Sequence, residues 1–157
     1  MQVKIDFREA RLEDAETYYL WVNDDEVRKN SFNQSKIEFE HHKNWFENKV
    51  ADSNCLMLIA SIKEKELGQI RFDKINSNSF EIDFSIDCFF RGKGIGSILI
   101  KGGLKELFNK YPLTIRVIGK VKRGNIPSKK SFLNAGFKQM ESSDSVNEFD
   151  TYYFDNL

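Results

Sequence analysis

The segment from Phe80 to Lys110 constrains the fold more than any other part of the chain. Apolar and polar side chains alternate from Phe80 to Cys88, which predicts a strand with two chemically different faces. A glycine-rich stretch follows, Arg91-Gly-Lys-Gly-Ile-Gly96, and a helical pattern then covers Ile95–Lys110. A strand that turns through glycines directly into a helix presents unpaired backbone amides to an anion. The segment therefore indicates a phosphate-binding turn.

This turn differs from the two commonest phosphate-binding loops. It lacks the Lys-Ser/Thr ending of a nucleotide triphosphatase loop, and the third glycine of the dinucleotide motif is displaced. The alternative interpretation is a tight turn that contains three glycines and binds nothing. The strand and helix on either side favour the anion site, because such motifs require that context.

Periodicity in the rest of the chain predicts the element order β-α-α-β-β-β-α-β-α-β-β. The predicted strands cover Val3–Phe7, Cys55–Ile62, Leu67–Ile75, Phe80–Cys88, Leu113–Val121, Phe137–Glu141 and Phe149–Phe154. The predicted helices cover Glu13–Trp21, Ser35–Val50 with Ser35 and Glu38 as a capping box, Ile95–Lys110, and a last helix that opens at Asn125 and stops at Gly136. This order predicts an α/β (α+β) domain with one mixed sheet of about seven strands and four flanking helices.

The composition indicates a single globular domain over residues 1–157. Apolar residues make up 40% of the chain, and 24 basic residues balance 24 acidic ones. This balance argues against nucleic acid or an anionic membrane as the main partner. Cys55 and Cys88 lack metal-site spacing, so no metal is expected. The N-terminus lacks a targeting pattern and no apolar run is long enough for a membrane span, so we expect a cytoplasmic protein; a homodimer stays open.

Two segments resemble the GNAT N-acetyltransferase superfamily. Arg91-Gly-Lys-Gly-Ile-Gly96 resembles its acetyl-CoA pyrophosphate loop, whose pattern is Arg/Gln, two residues, Gly, one residue, Gly/Ala. The stretch from Asn125 to Phe137, with its Asn, small residue, aromatic and terminal Gly-Phe, resembles the following helix of that family. The element order also agrees, so the resemblance covers essentially the whole chain. It implies the GNAT fold, with acetyl-CoA as cosubstrate.

The resemblance also implies which residues contact acetyl-CoA. These are Ile86, Asp87, Arg91, Gly92, Lys93, Gly94, Ile95, Gly96, Ser97, Asn125, Ser128 and Phe132. In such a site the backbone at Ile86 and Asp87 lies beside the pantetheine arm, and the amides of residues 91–97 meet the pyrophosphate. A basic cluster near the loop is either a partner for the remaining phosphate or a solvated face: Lys93, Lys122, Arg123, Lys129 and Lys130.

The chain departs from the family at Phe132, where many relatives have a tyrosine that can protonate the departing thiolate. A phenylalanine has no transferable proton. The proton must then come from water or from another hydroxyl group. The candidates are Ser128, Ser131, Tyr152 and Tyr153.

The polar face of the strand before the loop carries the candidates for catalysis. Glu81, Asp83, Ser85 and Asp87 share this face by alternation. Family members often place an acidic base on this strand, so Asp83 or Glu81 is implied as the group that takes a proton from the amine, with Ser85 close to the acetyl group. The alternative is a polar stripe that faces water or pairs with Arg71 or Lys74 on the neighbouring strand.

The front of the chain carries the candidates for acceptor binding. The stretches Trp21–Asn33 and His42–Phe46 resemble aminosugar N-acetyltransferases of the pseudaminic-acid pathway type, which modify a 4-amino group on a nucleotide-linked sugar. Similar stretches occur in ribosomal-protein and amino-acid acetyltransferases. The implied acceptor contacts are Arg28, Ser31, Asn33, His42 and Trp45. For His42, packing is the stronger interpretation.

The sequence thus predicts direct acetyl transfer to a primary amine, first of all on a nucleotide-linked aminosugar. A protein N-terminus, an amino acid or another small amine is the second choice of acceptor. An acyl-enzyme on Cys88 is disfavoured because no histidine lies near it in sequence to activate the thiol. A non-catalytic acyl-CoA-binding domain is the alternative from another class, and Phe132 is the feature that favours it.

Overall fold

The computed structural model describes residues 3–141 and 148–157. The strands are β1 Asp6–Glu9, β2 Cys55–Ile62, β3 Lys65–Asn76, β4 Ser79–Ile86, β5 Arg116–Lys122, β6 Lys138–Gln139 and β7 Phe149–Asp155. They form one sheet in the order β1-β2-β3-β4-β5-β7-β6. Only the β4–β5 pair within this described sheet is parallel, so the sheet is mixed, as predicted.

Five α-helices of the described residues pack around the sheet: α1 Ala15–Val22, α2 Asp25–Lys29, α3 Phe39–Ala51, α4 Ile95–Lys110 and α5 Ile126–Asn134. Even-numbered residues of β2 to β4, such as Phe72 and Ile82, share a core with α4 and α5. Odd-numbered residues of β2, such as Met57, share a second core with α1 and α3. The sheet therefore separates an α4–α5 face from an α1–α3 face. None of the helices described is long and apolar enough to cross a membrane.

The first clear difference from the sequence prediction is the start of α3. The helix begins at Phe39 after the extended Glu38, so the predicted capping box at Ser35 does not form. A distant side chain prevents it: Asn23 donates to the carbonyl of Ile37 and accepts from its amide, both at 2.8 Å. These hydrogen bonds keep the residues before α3 extended. No local sequence pattern predicts them, because Asn23 lies fourteen residues before Ile37.

The other differences concern short elements and strand ends. The stretch after Asn23 has no clear periodicity and suggests a loop with one possible helical turn. It contains a fifth helix, α2, which Asp24 caps by accepting from the amides of Glu26 and Val27. The fourth strand ends at Ile86 rather than Cys88, because Asp87 caps a 3₁₀ turn over Cys88–Phe90. β5 begins three residues later than predicted, at Arg116. The predicted polar stretch Ser142–Ser145 lies outside the described residues.

The feature that positions the site is the divergence of β4 from β5. The two strands pair only from Ser79 and Arg116 to Ile82 and Gly119, although each continues for several residues. The Asp87 amide donates towards β3, to the Leu67 carbonyl at 2.7 Å. Because backbone groups alternate in direction along a strand, those of Phe84 and Ile86 face the space left by β5. We call this space the β4–β5 gap.

Candidate active site

A cavity of about 500 Å³ occupies the β4–β5 gap. Many of the residues predicted for the site line it: Ser31, Asp83, Ser85, Ile86, Arg91, Gly92, Gly94, Ile95, Gly96, Ser97, Asn125, Ser128 and Phe132. Others do not line it: Arg28, Asn33, His42, Trp45, Glu81, Asp87 and Lys93. The structure thus brings the glycine-rich turn, the end of β4 and the start of α5 together around one space.

The glycine-rich turn is open towards the solvent and the cavity. Gly92 and Gly94 have φ of +74° and +71°, a conformation that favours glycine. A Cβ built on either residue would meet nothing within 4 Å. Gly94 caps α4 without any side-chain hydrogen bond, so the first amides of the helix lack a side-chain partner. The turn has the conformation and the free donors that a diphosphate requires.

Gly96 has a different role, which is close packing between α4 and α5. A Cβ at this position would lie 2.2 Å from Ser131 Oγ and 3.0 Å from Ser131 Cβ. The last glycine of the motif therefore allows the two helices to approach, and its side of the helix is not available to a ligand.

We expect Gly96→Ala to lower the free energy of unfolding by about 1–3 kcal/mol, the usual cost of overpacking. Urea denaturation of the purified protein measures the loss. In the Ser131→Gly background the clash disappears, so the same substitution should cost much less there. An equal cost in both backgrounds would contradict the packing role.

The Arg91 side chain connects the turn to α2. Its Nε donates to the Ile86 carbonyl at 3.0 Å, and its Nη2 lies 2.8 Å from Asp24 Oδ1. Burial alone would raise the pKa of Asp24, but Arg91 and the amides of Val27 and Glu26 outweigh it and lower that pKa. The Arg91 guanidinium therefore makes contacts within the protein. These contacts connect the glycine-rich turn to α2 on the other side of the cavity.

Two residues predicted beside acetyl-CoA have side chains directed elsewhere. The Asp87 carboxylate accepts from the Phe89 amide and from Trp21 Nε1, both at 3.0 Å. Lys93 Nζ lies 5.9 Å from the centre of the Phe90 ring and does not reach the cavity. Neither residue lines the cavity, so Asp87 shapes the turn and Lys93 lies outside it.

Phe132 forms part of the floor of the cavity at the point where β4 and β5 separate. Its side chain is only 3% exposed, and its ring packs edge-on against Phe84 at 5.5 Å between centroids. Its Cζ would lie 2.7 Å from a Cβ on Gly119, the last β5 residue paired with β4. The para position that carries the hydroxyl in a tyrosine is therefore packed against the backbone of β5.

The two tyrosines proposed as proton donors do not reach the cavity. Tyr152 is completely buried beneath Phe132, with 5.9 Å between the ring centroids, and burial raises the pKa of its phenol. Tyr153 lies under the Arg116 guanidinium, 4.6 Å from it. Neither lines the cavity, and the Ser131 hydroxyl donates to the Pro127 carbonyl. Ser128 lines the cavity and has no side-chain hydrogen bond to any described residue.

On β4 the structure separates the two candidate bases. Asp83 lines the cavity with 53% of its side chain exposed, and its Oδ2 lies 3.8 Å from Arg71 Nη1. Glu81 lies two residues earlier on the same face of β4, with its carboxylate 3.7 Å from Lys120 Nζ, and does not line the cavity. Ser85 is buried and lines the cavity. Asp83 therefore lies on the cavity, as a catalytic base would, and also near Arg71, as a polar side chain paired with the neighbouring strand would. The two interpretations of the polar face are compatible.

Arg28 stabilises the segment after α1 through hydrogen bonds and does not line the cavity. Its guanidinium donates to the carbonyls of Val22 and Asn33, at 2.7 and 2.8 Å, and to Ser31 Oγ at 3.1 Å. Burial lowers the pKa of Arg28, against the opposing charge of Asp83. Asn33 completes this network with its backbone carbonyl. Of the three residues only Ser31 lines the cavity.

His42 and Trp45 belong to the core between α1 and α3, which corrects their assignment to acceptor binding. His42 is 2% exposed, its Nε2 lies 3.1 Å from the Ala15 carbonyl, and its ring stacks on Tyr18. Burial lowers the pKa of His42, against the opposing hydrogen bond. Trp45 lies beneath the Arg71 guanidinium at 5.0 Å. The aromatic spacing on α3 reflects packing.

The cavity also contains Glu26, Asn30 and Lys120, which the sequence prediction missed, and Lys122, which it named only as a member of the basic cluster. Glu26 of α2 and the adjacent Asn30 line the cavity on one side, and Lys120 and Lys122 of β5 line it on the other. Lys122 Nζ donates to the Lys29 carbonyl at 3.1 Å, which holds α2 across the gap. The period-two spacing of the two lysines was a usable pattern, whereas Glu26 lies in a stretch without periodicity. Within the described residues no cluster of three or more His, Cys, Asp or Glu is arranged to hold a metal ion.

Residues 4–138 match the acetyltransferase (GNAT) domain family. The chain belongs to this family. The acetyltransferase therefore has the GNAT fold that the sequence predicted, and it uses acetyl-CoA as cosubstrate for N-acetyl transfer. The glycine-rich turn, the uncapped helix and the unpaired edge of β4 fit this coenzyme, since they offer amides for its diphosphate and backbone groups for an extended arm.

Several solved structures share the fold across almost the whole chain. A domain from Methanocaldococcus jannaschii is 23% identical, with a TM-score of 0.83 over 99% of this chain and all of that one. Spermidine N-acetyltransferase from Vibrio cholerae is 17% identical, with a TM-score of 0.80 over 96% and 94%. The Campylobacter jejuni N-acetyltransferase PseH is 18% identical, with a TM-score of 0.74 over 98% and 100%. No curated protein sequence matches the acetyltransferase significantly.

Proposed function

We propose that this acetyltransferase acetylates the 4-amino group of a nucleotide-linked aminosugar by direct transfer from acetyl-CoA. The observation that carries this proposal is the mixed charge of the cavity lining between α2 and β5. Glu26 and Asp83 offer carboxylates to an amine, and Lys120 and Lys122 offer ammonium groups to a diphosphate. An acceptor that combines an amine with a diphosphate satisfies both pairs of charges.

Acetyl-CoA binds, in this proposal, on the α4–α5 side of the gap. The amides of residues 92–97 hold its diphosphate, since the Arg91 amide donates to the Cys88 carbonyl instead. The outward-facing backbone of Phe84 and Ile86 holds the arm. Asn125 and Ser128 line the cavity along the same path. When bound, the thioester supplies an activated acetyl group, and the chain's task is to orient it and to exclude other reactions.

Asp83 takes the proton from the attacking amine, directly or through a water molecule. It is the more exposed of the two candidate carboxylates on β4, and it lines the cavity while Glu81 does not. An amine on a sugar ring is less basic than that of lysine, because the neighbouring ring substituents withdraw electrons. A carboxylate base is therefore sufficient.

The departing thiolate receives its proton from water or from the Ser128 hydroxyl. Ser128 lies one helical turn before Phe132, on the same face of α5, and its side chain is free of hydrogen bonds to the described residues. Phe132 contributes an apolar floor and no proton. This arrangement replaces the tyrosine of the related enzymes.

An acceptor panel tests the proposal. Release of free thiol from acetyl-CoA is measured with a UDP-linked 4-amino sugar, the same sugar without its nucleotide, spermidine and a peptide with a free N-terminus. We expect the highest kcat/KM for the nucleotide-linked sugar. Lys120→Met should raise its KM by about 10-fold, the value of a charged hydrogen bond, and should change the KM of the free sugar little, because Lys120 makes no hydrogen bond to the described residues of α2.

Other outcomes would assign the protein differently. A small cationic amine is the second candidate, because Glu26 and Asp83 also suit a polyamine. Preferred turnover of spermidine, with no effect of Lys120→Met, would favour it over the nucleotide-linked sugar. Acetyl-CoA binding without turnover of any acceptor would favour a non-catalytic acyl-CoA-binding domain.

A further inference from the structure

We infer that Gln69 is a positioning residue, which holds Asp83 and Ser85 in place for the reaction. The inference rests on the role proposed above for Asp83. Gln69 lies on β3, directly opposite Ser85 in the antiparallel register, and has no exposed surface. It does not line the cavity, so it acts through the residues that do.

The side-chain amide of Gln69 donates to both polar residues of β4 that line the cavity. Its Nε2 lies 3.1 Å from Asp83 Oδ2 and 3.2 Å from Ser85 Oγ. A carboxylate without a proton can only accept, so the amide nitrogen must be the atom that faces Asp83. The two hydrogens of the amide therefore serve Asp83 and Ser85, one each.

This arrangement fixes what the two β4 residues present to the cavity. Asp83 is held through Oδ2, which leaves Oδ1 for a proton from the amine. Ser85 accepts from Gln69, so its own hydroxyl hydrogen is directed elsewhere. Catalytic groups work best when neighbouring residues lock their orientation, and Gln69 provides that lock from inside the sheet.

The side-chain oxygen of Gln69 indicates that this residue does not increase the free energy of unfolding. Its Oε1 is buried and has no hydrogen-bond partner among the described residues. A buried acceptor without a partner costs stability, and leucine has a similar volume without that cost. A costly side chain that donates to two residues of the active site indicates a functional role.

Other charged groups also face Asp83 and limit what Gln69 alone can do. Arg71 of β3 has its Nη1 atom 3.8 Å from Asp83 Oδ2. The same atom donates to the Tyr18 hydroxyl of α1 at 3.3 Å. Across the cavity, the charge of Asp83 acts on Arg28. Arg71 and Arg28 are positively charged, whereas the Gln69 amide is neutral and sets the direction of the Asp83 carboxylate. The test must therefore separate orientation from charge.

The test is Gln69→Leu, which removes both hydrogen bonds and the unpartnered oxygen at nearly constant volume. We expect kcat to fall by about 10-fold to 100-fold, because the reacting groups lose their fixed orientation. The KM for acetyl-CoA should not change, and the melting temperature should stay the same or rise. Gln139→Leu makes the same substitution on β6, away from the cavity, and should leave all three values unchanged.

A double-mutant cycle shows whether Gln69 acts through Asp83. In the Asp83→Asn background, Gln69→Leu should reduce the residual rate little further. An unchanged kcat in the single variant, or an equal loss in both backgrounds together with a lower melting temperature, would overturn the positioning role. If Asp83→Asn itself kept the native rate, the proposed base would be wrong, and this result is distinguishable from a failure at Gln69.

Discussion

Gly94→Asp is expected to weaken acetyl-CoA binding by at least ~100-fold, because it puts a carboxylate where we propose that the diphosphate binds. Gly94 caps α4 at φ +71°, with open space around its Cβ position. The new side chain would repel the diphosphate and compete with it for the amides of the first helical turn. Aspartate is among the residues that tolerate this backbone conformation, so the protein should still fold. Isothermal titration calorimetry measures the affinity.

Gly94→Asn is the matched control, since it has the same shape and a similar tolerance for positive φ but no charge. We expect it to weaken binding much less than the aspartate. An equal loss in both variants would assign the effect to bulk rather than to charge. Native affinity in Gly94→Asp would place the diphosphate elsewhere.

Asp83→Asn is expected to lower kcat by about 10²–10⁴-fold, the usual contribution of a general base. The dissociation constant of acetyl-CoA should not change, because Asp83 lies on β4, just past its pairing with β5, and not in the glycine-rich turn. The deficit should shrink at alkaline pH, where the acceptor amine loses its proton without help. Initial rates of thiol release across a pH series measure both effects.

Glu81→Gln is the control that the same strand offers. Glu81 carries the same charge, two residues earlier on the same face, but it lies beside Lys120 and outside the cavity. We expect its kcat to stay close to that of the native protein. A large loss in Glu81→Gln with a small one in Asp83→Asn would reverse the assignment that the structure favours.

The elements that the sequence predicted well are those whose cause is local. β2 and α4 have the predicted limits, Cys55–Ile62 and Ile95–Lys110. In both, apolar periodicity and the glycines or turns beside the element determine where it starts and ends. The glycine-rich turn was found in the same way, because the glycines and the strand and helix on either side of them are all visible in one short segment of the chain.

The parts that the sequence did not predict depend on distant contacts. The start of α3 is determined by Asn23, fourteen residues before Ile37. The spacing of His42 and Trp45 suits either packing or binding, and only the position of α1 decides between them. Glu26 reaches the cavity because Arg91 and Lys122 hold the two ends of α2. Both residues are distant in sequence, so no local pattern around Glu26 predicts these contacts.

The early end of β4–β5 pairing has a consequence for the order of events. α4 and α5 border the gap on one face of the sheet, and α2 crosses it on the other. In the proposed function, the coenzyme lies on the first of these faces and the acceptor on the second, so both occupy the cavity together. Neither has to leave before the other arrives, so the architecture suits a ternary complex and makes a covalent relay through the protein unnecessary.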